Sequence, residues 1–312
     1  MLKKLSLLST LLLSLLISIS ATCQTDSEQL YPISRDGKEG YINRTGRVVV
    51  EPRFDIAYYF SEGIGLFATA SMKQLPDGES KKIPDKWGLI DTNGKIIAEP
   101  QFKSTGCVFS EGLLCVGTEA GVGFVDKTGK LVIEPRFSQA KDFSEGLAPV
   151  STGEKWGFVR KNGEIAIPPQ FDDANSFSQG LALVKVKEGY AYINQTGQVV
   201  IHLSVSDAGD FHEGLARVIV SKPGAKDKYR EKGRAGYIDK SGKTVIEPQF
   251  DEACDFSEGL ACVVTEGKMG YIDKTGRMIV APEFESAGDF PKGWQSLKPM
   301  ATAVLLINRA RL

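Results

Sequence analysis

Four of the five cysteines stand in two pairs with a common spacing. Cys107 and Cys115 flank Phe109-Ser110-Glu111-Gly112, and Cys254 and Cys262 flank Phe256-Ser257-Glu258-Gly259. In both pairs the cysteines lie two residues before and six after the Phe of the motif. Other copies of the motif carry Tyr58 and Leu66, or Asn175 and Leu183, at the same positions. Paired appearance at matching sites predicts two positions that face each other across a bend. A non-hydrogen-bonded cross-strand pair brings Cα atoms to about 4.5 Å, within reach of a disulfide. Bridges Cys107–Cys115 and Cys254–Cys262 are therefore expected, each stabilising by roughly 2–3 kcal/mol. Neither pair has the close CxxC spacing of a zinc site.

The remaining reactive residue types are sparse or repeated. The two histidines, His202 and His212, fall in different motifs and lack metal-ligand spacing. No Gly-x-Ser-x-Gly, HExxH or phosphate-binding loop is present. Acids recur at Glu51, Glu99, Glu134 and Glu247, and again at Glu62, Glu111, Glu145, Glu213 and Glu258. A glycosidase needs one carboxylate pair, whereas turn and strand-end residues repeat. Calcium at the Asp-x-x-Gly turns would need more than one carboxylate per turn, and Arg160 and Asn43 break the acidic pattern. The expectation is a chain without catalytic residues, metal or cofactor.

The elements that carry these residues form a repeat. One motif reads Asn43-Arg44-Thr45-Gly46, Asp91-Thr92-Asn93-Gly94, Asp126-Lys127-Thr128-Gly129 and onward to Asp273-Lys274-Thr275-Gly276, about every 34 residues and seven times in all. A second follows it as Glu51-Pro52-Arg53-Phe54, with copies ending at Phe102, Phe137, Phe171, Phe250 and Phe284. The fifth copy is degenerate, His202-Leu203-Ser204-Val205. The third is Phe-Ser-Glu-Gly, at Phe60, Phe109, Phe143, Phe177, Phe211, Phe256 and Phe290 in its full or altered forms. A short strand such as Gly123–Asp126 runs into the Asp-Lys-Thr-Gly turn, whose Gly supplies positive φ. The chain returns through the β-branched run Lys130–Glu134, and Pro135 ends the ladder because it has no N–H to give. The periodicity thus predicts an all-β repeat architecture of seven units with at least three strands each, either a propeller-like ring or an open β-solenoid. The repeated phenylalanines are read as core, since a unit of this size must bury its large side chains against its neighbours.

These ordered motifs resemble the bacterial WG-repeat (KWG-repeat) family. The namesake stands as Lys86-Trp87-Gly88 and Lys155-Trp156-Gly157. Elsewhere the Trp gives way, as in Glu39-Gly40, Val122-Gly123, Tyr190-Ala191, Ala235-Gly236 and Met269-Gly270. The resemblance covers about residues 30 to 293. It implies a scaffold or binding module, and it carries over no catalytic residues.

Three regions depart from the repeat. Lys3 and Lys4, the apolar run Leu5 to Ile19, and the small residues Ser20-Ala21-Thr22 read as a secretory signal over residues 1–22. Cys23 would then be the first mature residue and a candidate for lipidation. Two insertions fall in one topological connection, about Ala70 to Lys86 and Ser221 to Ala235. The second is basic through Lys222, Lys226, Lys228, Arg230, Lys232 and Arg234. Insertions at one position of a repeat often mark the binding face, so these six residues form the candidate partner-binding loop. Residues 294–312 lack the motifs and read as an atypical cap to the repeat domain 23–293.

Formal net charge is −1, with 38 basic and 39 acidic residues, which speaks against a nucleic-acid footprint. The sequence therefore points to an exported, non-enzymatic scaffold in the periplasm, at the cell surface or secreted, that engages a protein or glycan of the cell envelope. The competing expectation is a structural cell-surface or lipid-anchored module without a specific ligand. Any membrane association would run through the lipid.

Overall fold

The computed structural model describes residues 29–75, 78–106, 108–221 and 233–285. Within them every regular element is a β-strand. The strands form seven sheets: one of three strands and six of four, each an antiparallel meander in which neighbours in sequence are neighbours in space. The seven sheets correspond to the seven repeats, and the architecture is an all-β, propeller-like repeat fold.

The chain divides into two compact units at Ser104. The first holds the three-stranded sheet, Tyr31–Arg35, Lys38–Ile42 and Val48–Phe54, and a four-stranded sheet, Ile56–Ala57, Ile64–Gln74, Ser80–Asp91 and Ile96–Phe102. The second holds the remaining five sheets. The sheet of Gln139–Ala140, Leu147–Ser151, Trp156–Arg160 and Ile165–Phe171 shows how the sequence is used. Its first strand has only two residues, too few to show alternation, which is why the sequence reveals three strands per unit rather than four. Its second strand is buried along its whole length. Its fourth alternates, with Ile167 and Phe171 inward and Pro168 and Gln170 outward.

The core lies between consecutive sheets. One cluster joins Leu147, Trp156, Phe158, Ile167 and Phe171 to Phe177, Val184 and Ile193 of the following sheet. Equivalent clusters recur along both units. Within each compact unit a repeat thus buries its apolar face against its neighbour rather than alone. The expectation that the recurrent phenylalanines are core holds for Phe54, Phe102, Phe137, Phe171 and Phe250, and for Phe60, Phe109, Phe143, Phe177, Phe211 and Phe256, all at most 9% exposed. Phe284 is the exception at 50%. It stands in the last described sheet, with no described sheet following to cover it.

A ring two residues after the Trp-Gly position packs on the Phe of the next Phe-Ser-Glu-Gly motif. The pairs Tyr41–Phe60, Phe124–Phe143, Phe158–Phe177, Tyr192–Phe211 and Tyr237–Phe256 have centroids 4.7 to 5.0 Å apart and are tilted or edge-on. Such geometry suits the quadrupoles of the rings. Where the first ring is Tyr, its hydroxyl donates to a carbonyl of the next sheet: Tyr192 to Gly209 at 2.5 Å and Tyr237 to Cys254 at 2.7 Å. Burial pushes both hydroxyls well above the ordinary tyrosine range, so they remain donors.

The Trp-Gly glycine has a steric cause. In the Trp156–Arg160 and Ile165–Phe171 pair the register jumps from Trp156↔Phe171 to Phe158↔Ile167, so the Pro168-Pro169 segment bulges toward Gly157. A Cβ on Gly157 would lie 2.4 Å from the Ile167 carbonyl oxygen and 2.7 Å from the Pro169 nitrogen. The same closeness, 2.3 to 2.6 Å to a backbone carbonyl, recurs at Gly40, Gly123, Gly236 and Gly270. The fifth repeat lacks the proline motif, its register runs unbroken through Ala191↔His202, and there alone the glycine is replaced. Glycine and proline are two halves of one bulge.

Candidate functional site

The acids that first suggest chemistry are bound into turns. In the Asp-Lys-Thr-Gly turn, Asp126 Oδ1 accepts from the Thr128 N–H at 2.8 Å, the Thr128 hydroxyl at 2.6 Å and the Lys130 N–H at 3.1 Å. Asn194 and Asp273 do the same in their own repeats. The hydroxyl bond leads in holding the Asp126 carboxyl below its ordinary range. In the copy that begins at Arg160, Asn162 substitutes by accepting from the Glu164 N–H.

The Ser-Glu-Gly acids have a different duty. Ser144 and Leu147 exchange two backbone hydrogen bonds around Glu145 and Gly146, whose φ angles are +54° and +83°. That is a type I′ turn, which demands a left-handed conformation of both central residues. A non-glycine residue held there costs about 1–2 kcal/mol. The carboxylate reaches the turn of the next repeat and accepts from its glycine: Glu111 from Gly146, Glu145 from Gly180, and Glu213 from Gly259, at 2.9 to 3.2 Å. Gln179 makes the same bond to Gly214 at 2.8 Å. The serine hydroxyls extend the ladder: Ser110, Ser144 and Ser178 donate to the carbonyls of Phe143, Phe177 and Phe211. Lys161 and Lys274 add ion pairs to Glu111 and Glu213 at 2.8 and 2.9 Å. Burial opposes ionisation of these two glutamates, but the lysine and glycine bonds outweigh it and their carboxyls sit below the ordinary range.

Of the candidate partner-binding loop, Lys222, Lys226, Lys228, Arg230 and Lys232 lie outside the described residues. Arg234 is described, and its role differs from expectation. Its guanidinium bonds the Asp251 carboxylate and the Gln249 carbonyl. Lys38 with Asp55 and Lys155 with Asp172 form the equivalent pair in their own repeats. Arg234 therefore belongs to the repeat framework rather than to the insertion. The first insertion is a ribbon: Ile64–Gln74 and Ser80–Asp91 stay paired out to Gln74↔Ser80, with an irregularity between Thr69 and Ala70 where the extra length begins. Lys82 ties it down by donating to the carbonyls of Gly37 and Asp55, while Met72 is 63% exposed.

His202 is exposed, and His212 Nε2 lies 3.5 Å from Asp255. Among the described residues no group of His, Cys, Asp and Glu is arranged to hold a metal ion. Cys23 and Cys107 lie outside the described residues. The N–H that meets the Cys115 carbonyl is that of Gly106, and the Cys115 thiol faces Ala140 O at 3.8 Å. Cys254 and Cys262 face each other, with the Cys254 N–H donating to the Cys262 carbonyl at 2.9 Å. A single backbone bond thus joins them, where the sequence suggested a pair without one.

A cleft of about 170 Å³ opens beside the degenerate fifth repeat. Asp173, Asn175, Lys185, Tyr190 and Asp207 supply its polar lining, over a floor of Ala174, Leu183, Val184 and Ala208. Its rim is wired across three successive sheets. Lys141 donates to Asp173 at 3.2 Å and to Asn175 at 3.1 Å, and Asn175 donates to Asp210 at 3.0 Å. Burial pushes the Asp210 carboxyl up, with the Asn175 bond opposing. The cleft coincides with two departures from the repeat: Leu203 stands where other units place Phe, and Tyr190 pairs with it in the Trp position. The sequence signal was the clustering of these departures in one unit. A second cleft of about 250 Å³, in the first unit, is lined by Gln29, Phe60, Glu62, Gly63 and Thr92.

The profile of the family described as WG containing repeat matches residues 40–70, 87–118, 123–156, 156–190, 190–221, 236–268 and 269–294. No curated protein matches the sequence. Among solved structures, a eukaryotic initiation factor is similar with 11% identity and a TM-score of 0.52, over 80% of this chain and 73% of that one. Kluyveromyces lactis Hsv2p is similar with 12% identity and a TM-score of 0.42, over 70% and 73%. The extracellular domain of a one-component system from B. thetaiotaomicron has 13% identity and a TM-score of 0.38, over 82% of this chain and 40% of that one. The initiation-factor likeness bears on the fold alone.

Proposed function

From the premise that the chain belongs to the WG containing repeat family, we propose that it is an exported, non-enzymatic binding scaffold that engages a protein or glycan partner of the cell envelope. One observation carries this reading. The recurrent acids and aromatics are committed to turns and to contacts between repeats, and the polar cleft forms where the repeat lapses. A mixed set of donors and acceptors beside a tyrosine ring, over an apolar floor, suits a hydroxylated ring or a polar side chain of a partner. The basic n-region and apolar run at residues 3–19 support export.

The test is capture from envelope extract by immobilised full-length protein, in parallel with variants Tyr190→Ala and Asp207→Ala and with a ribbon shortened between Ala70 and Lys86. Retained capture by all three variants, each checked for native circular dichroism, would overturn the assignment of the cleft and ribbon. Absence of any saturable partner, with recovery of the protein in the membrane fraction, would favour the structural lipid-anchored module.

A further inference from the structure

We propose that Cys254 and Cys262 form a cross-strand disulfide that clips the short strand Glu252–Ala253 and its following residue onto Leu260–Thr265. The register runs Glu252↔Val264 and Ala253↔Val263, and the next step brings Cys254 opposite Cys262. The Cys254 N–H donates to the Cys262 carbonyl at 2.9 Å. Directly opposed residues of an antiparallel pair have their Cα atoms about 4.5 to 5.5 Å apart, within the range that disulfides span. The adjacent Cys254 side chain holds the Cys262 thiol below its ordinary range.

The position also has something to hold. Only two register pairs fasten the strand Glu252–Ala253 to its neighbour. At the corresponding position of the fifth and fourth sheets, Asn175 and Lys141 bond each other and reach the neighbouring repeats through side-chain hydrogen bonds. Cys254 offers instead a covalent tie within its own sheet. Cys115 makes the contrast. It lies in the apolar cluster between two sheets, burial and nearby Asp142 push its thiol up to about 12, and its sulfur faces a backbone carbonyl.

The reaction is a thiol–disulfide exchange with a low-molecular-weight disulfide such as oxidised glutathione. A thiolate of the pair attacks one glutathione sulfur and expels a glutathione thiolate. The second cysteine, as thiolate, then attacks the protein sulfur of the mixed disulfide and expels the second. Two protein thiols lose two protons and two electrons, and one glutathione disulfide becomes two glutathione thiols. Cys254 is only partly buried, which leaves it open to the oxidant. The clip does not depend on which partner the scaffold binds.

The test uses the full chain in a Cys107→Ser background, which removes the other bridge expected from sequence. The protein is equilibrated with oxidised glutathione, alkylated, digested without reduction and mapped by mass spectrometry. The expected result is one linked peptide joining Cys254 to Cys262, with Cys115 alkylated once the protein is denatured. Alkylation of both Cys254 and Cys262 after equilibration, or linkage of Cys254 to another cysteine or to glutathione alone, would overturn the proposal. A second measurement compares thermal midpoints with and without reductant. The midpoint should fall on reduction, and the change should vanish when Cys254→Ser and Cys262→Ser are added. A midpoint insensitive to reductant in the Cys107→Ser protein would refute the clip.

Discussion

Replacing Gly157 by alanine should destabilise the fold out of proportion to one methyl group. The added Cβ would sit 2.4 Å from Ile167 O, 2.7 Å from Pro169 N and 2.8 Å from Pro168 C. All three are backbone atoms of the bulge, so no side-chain rotation can relieve the overlap and the fourth strand must shift. Overpacking of this kind costs about 1–3 kcal/mol. The restricted unfolded chain of an alanine variant returns about 0.4–1 kcal/mol at most. A net loss of roughly 1–2 kcal/mol remains, or several degrees in thermal midpoint. Urea titration followed by circular dichroism and by the fluorescence of adjacent Trp156 would measure it. The fifth repeat supplies the opposite control. Ala191 opposes His202 in unbroken register and its side chain is fully buried, so Ala191→Gly should lose about 0.5–1 kcal/mol. Stability unchanged in Gly157→Ala, or raised in Ala191→Gly, would refute the coupling of glycine to the proline bulge.

Further outcomes follow from the contacts between repeats. Tyr192→Phe leaves the Gly209 carbonyl without its hydroxyl donor and should cost about 1 kcal/mol in denaturant titration, with the ring packing on Phe211 preserved. Glu145→Gln should be nearly neutral, because Gln179 already performs the same bond in its own repeat, whereas Glu145→Ala keeps the turn strain without the bond and should lower the urea midpoint. The carboxyls of Glu111, Asp126 and Glu213 are held low in the fold, so their stabilisation is present above the unfolded carboxylate pKa and is lost as pH falls through the folded values. Asp210 runs the other way: burial raises its folded pKa, so ionisation at neutral pH opposes folding and protonation relieves it. Asp210→Asn, which can still accept from Asn175, should raise the thermal midpoint at pH 7 and leave it little changed in acid.

Much of the fold is legible in the residues, because the same few contacts are made again and again. Gly146 and its homologues announce a turn through their need for positive φ. Phe143, Phe177 and Phe211 announce a core because a large ring at every repeat has nowhere else to go. The two-residue strand Gln139–Ala140 is not legible, since alternation cannot show over two residues. Nor is the left-handed Glu145, whose reason lies in a glycine N–H of the next repeat, 35 residues away. Arg234 reads as part of a basic insertion by its position in sequence, yet Asp251 claims it through a register the sequence does not display. The cleft is half legible: Leu203 and Tyr190 stand out as departures, but that they border one opening with Asp173 and Asp207 comes from the packing of consecutive sheets.

The central claim is that the repeated residues build the scaffold and the lapse in the fifth repeat binds. Affinity for a captured envelope partner, measured side by side for Tyr190→Ala/Asp207→Ala and for Glu145→Gln, tests it most directly. The account predicts binding weakened at least tenfold in the first, about 1.4 kcal/mol or more, and unchanged in the second, with both proteins folded. Binding retained by the cleft variant and lost by the Glu145 variant would contradict it.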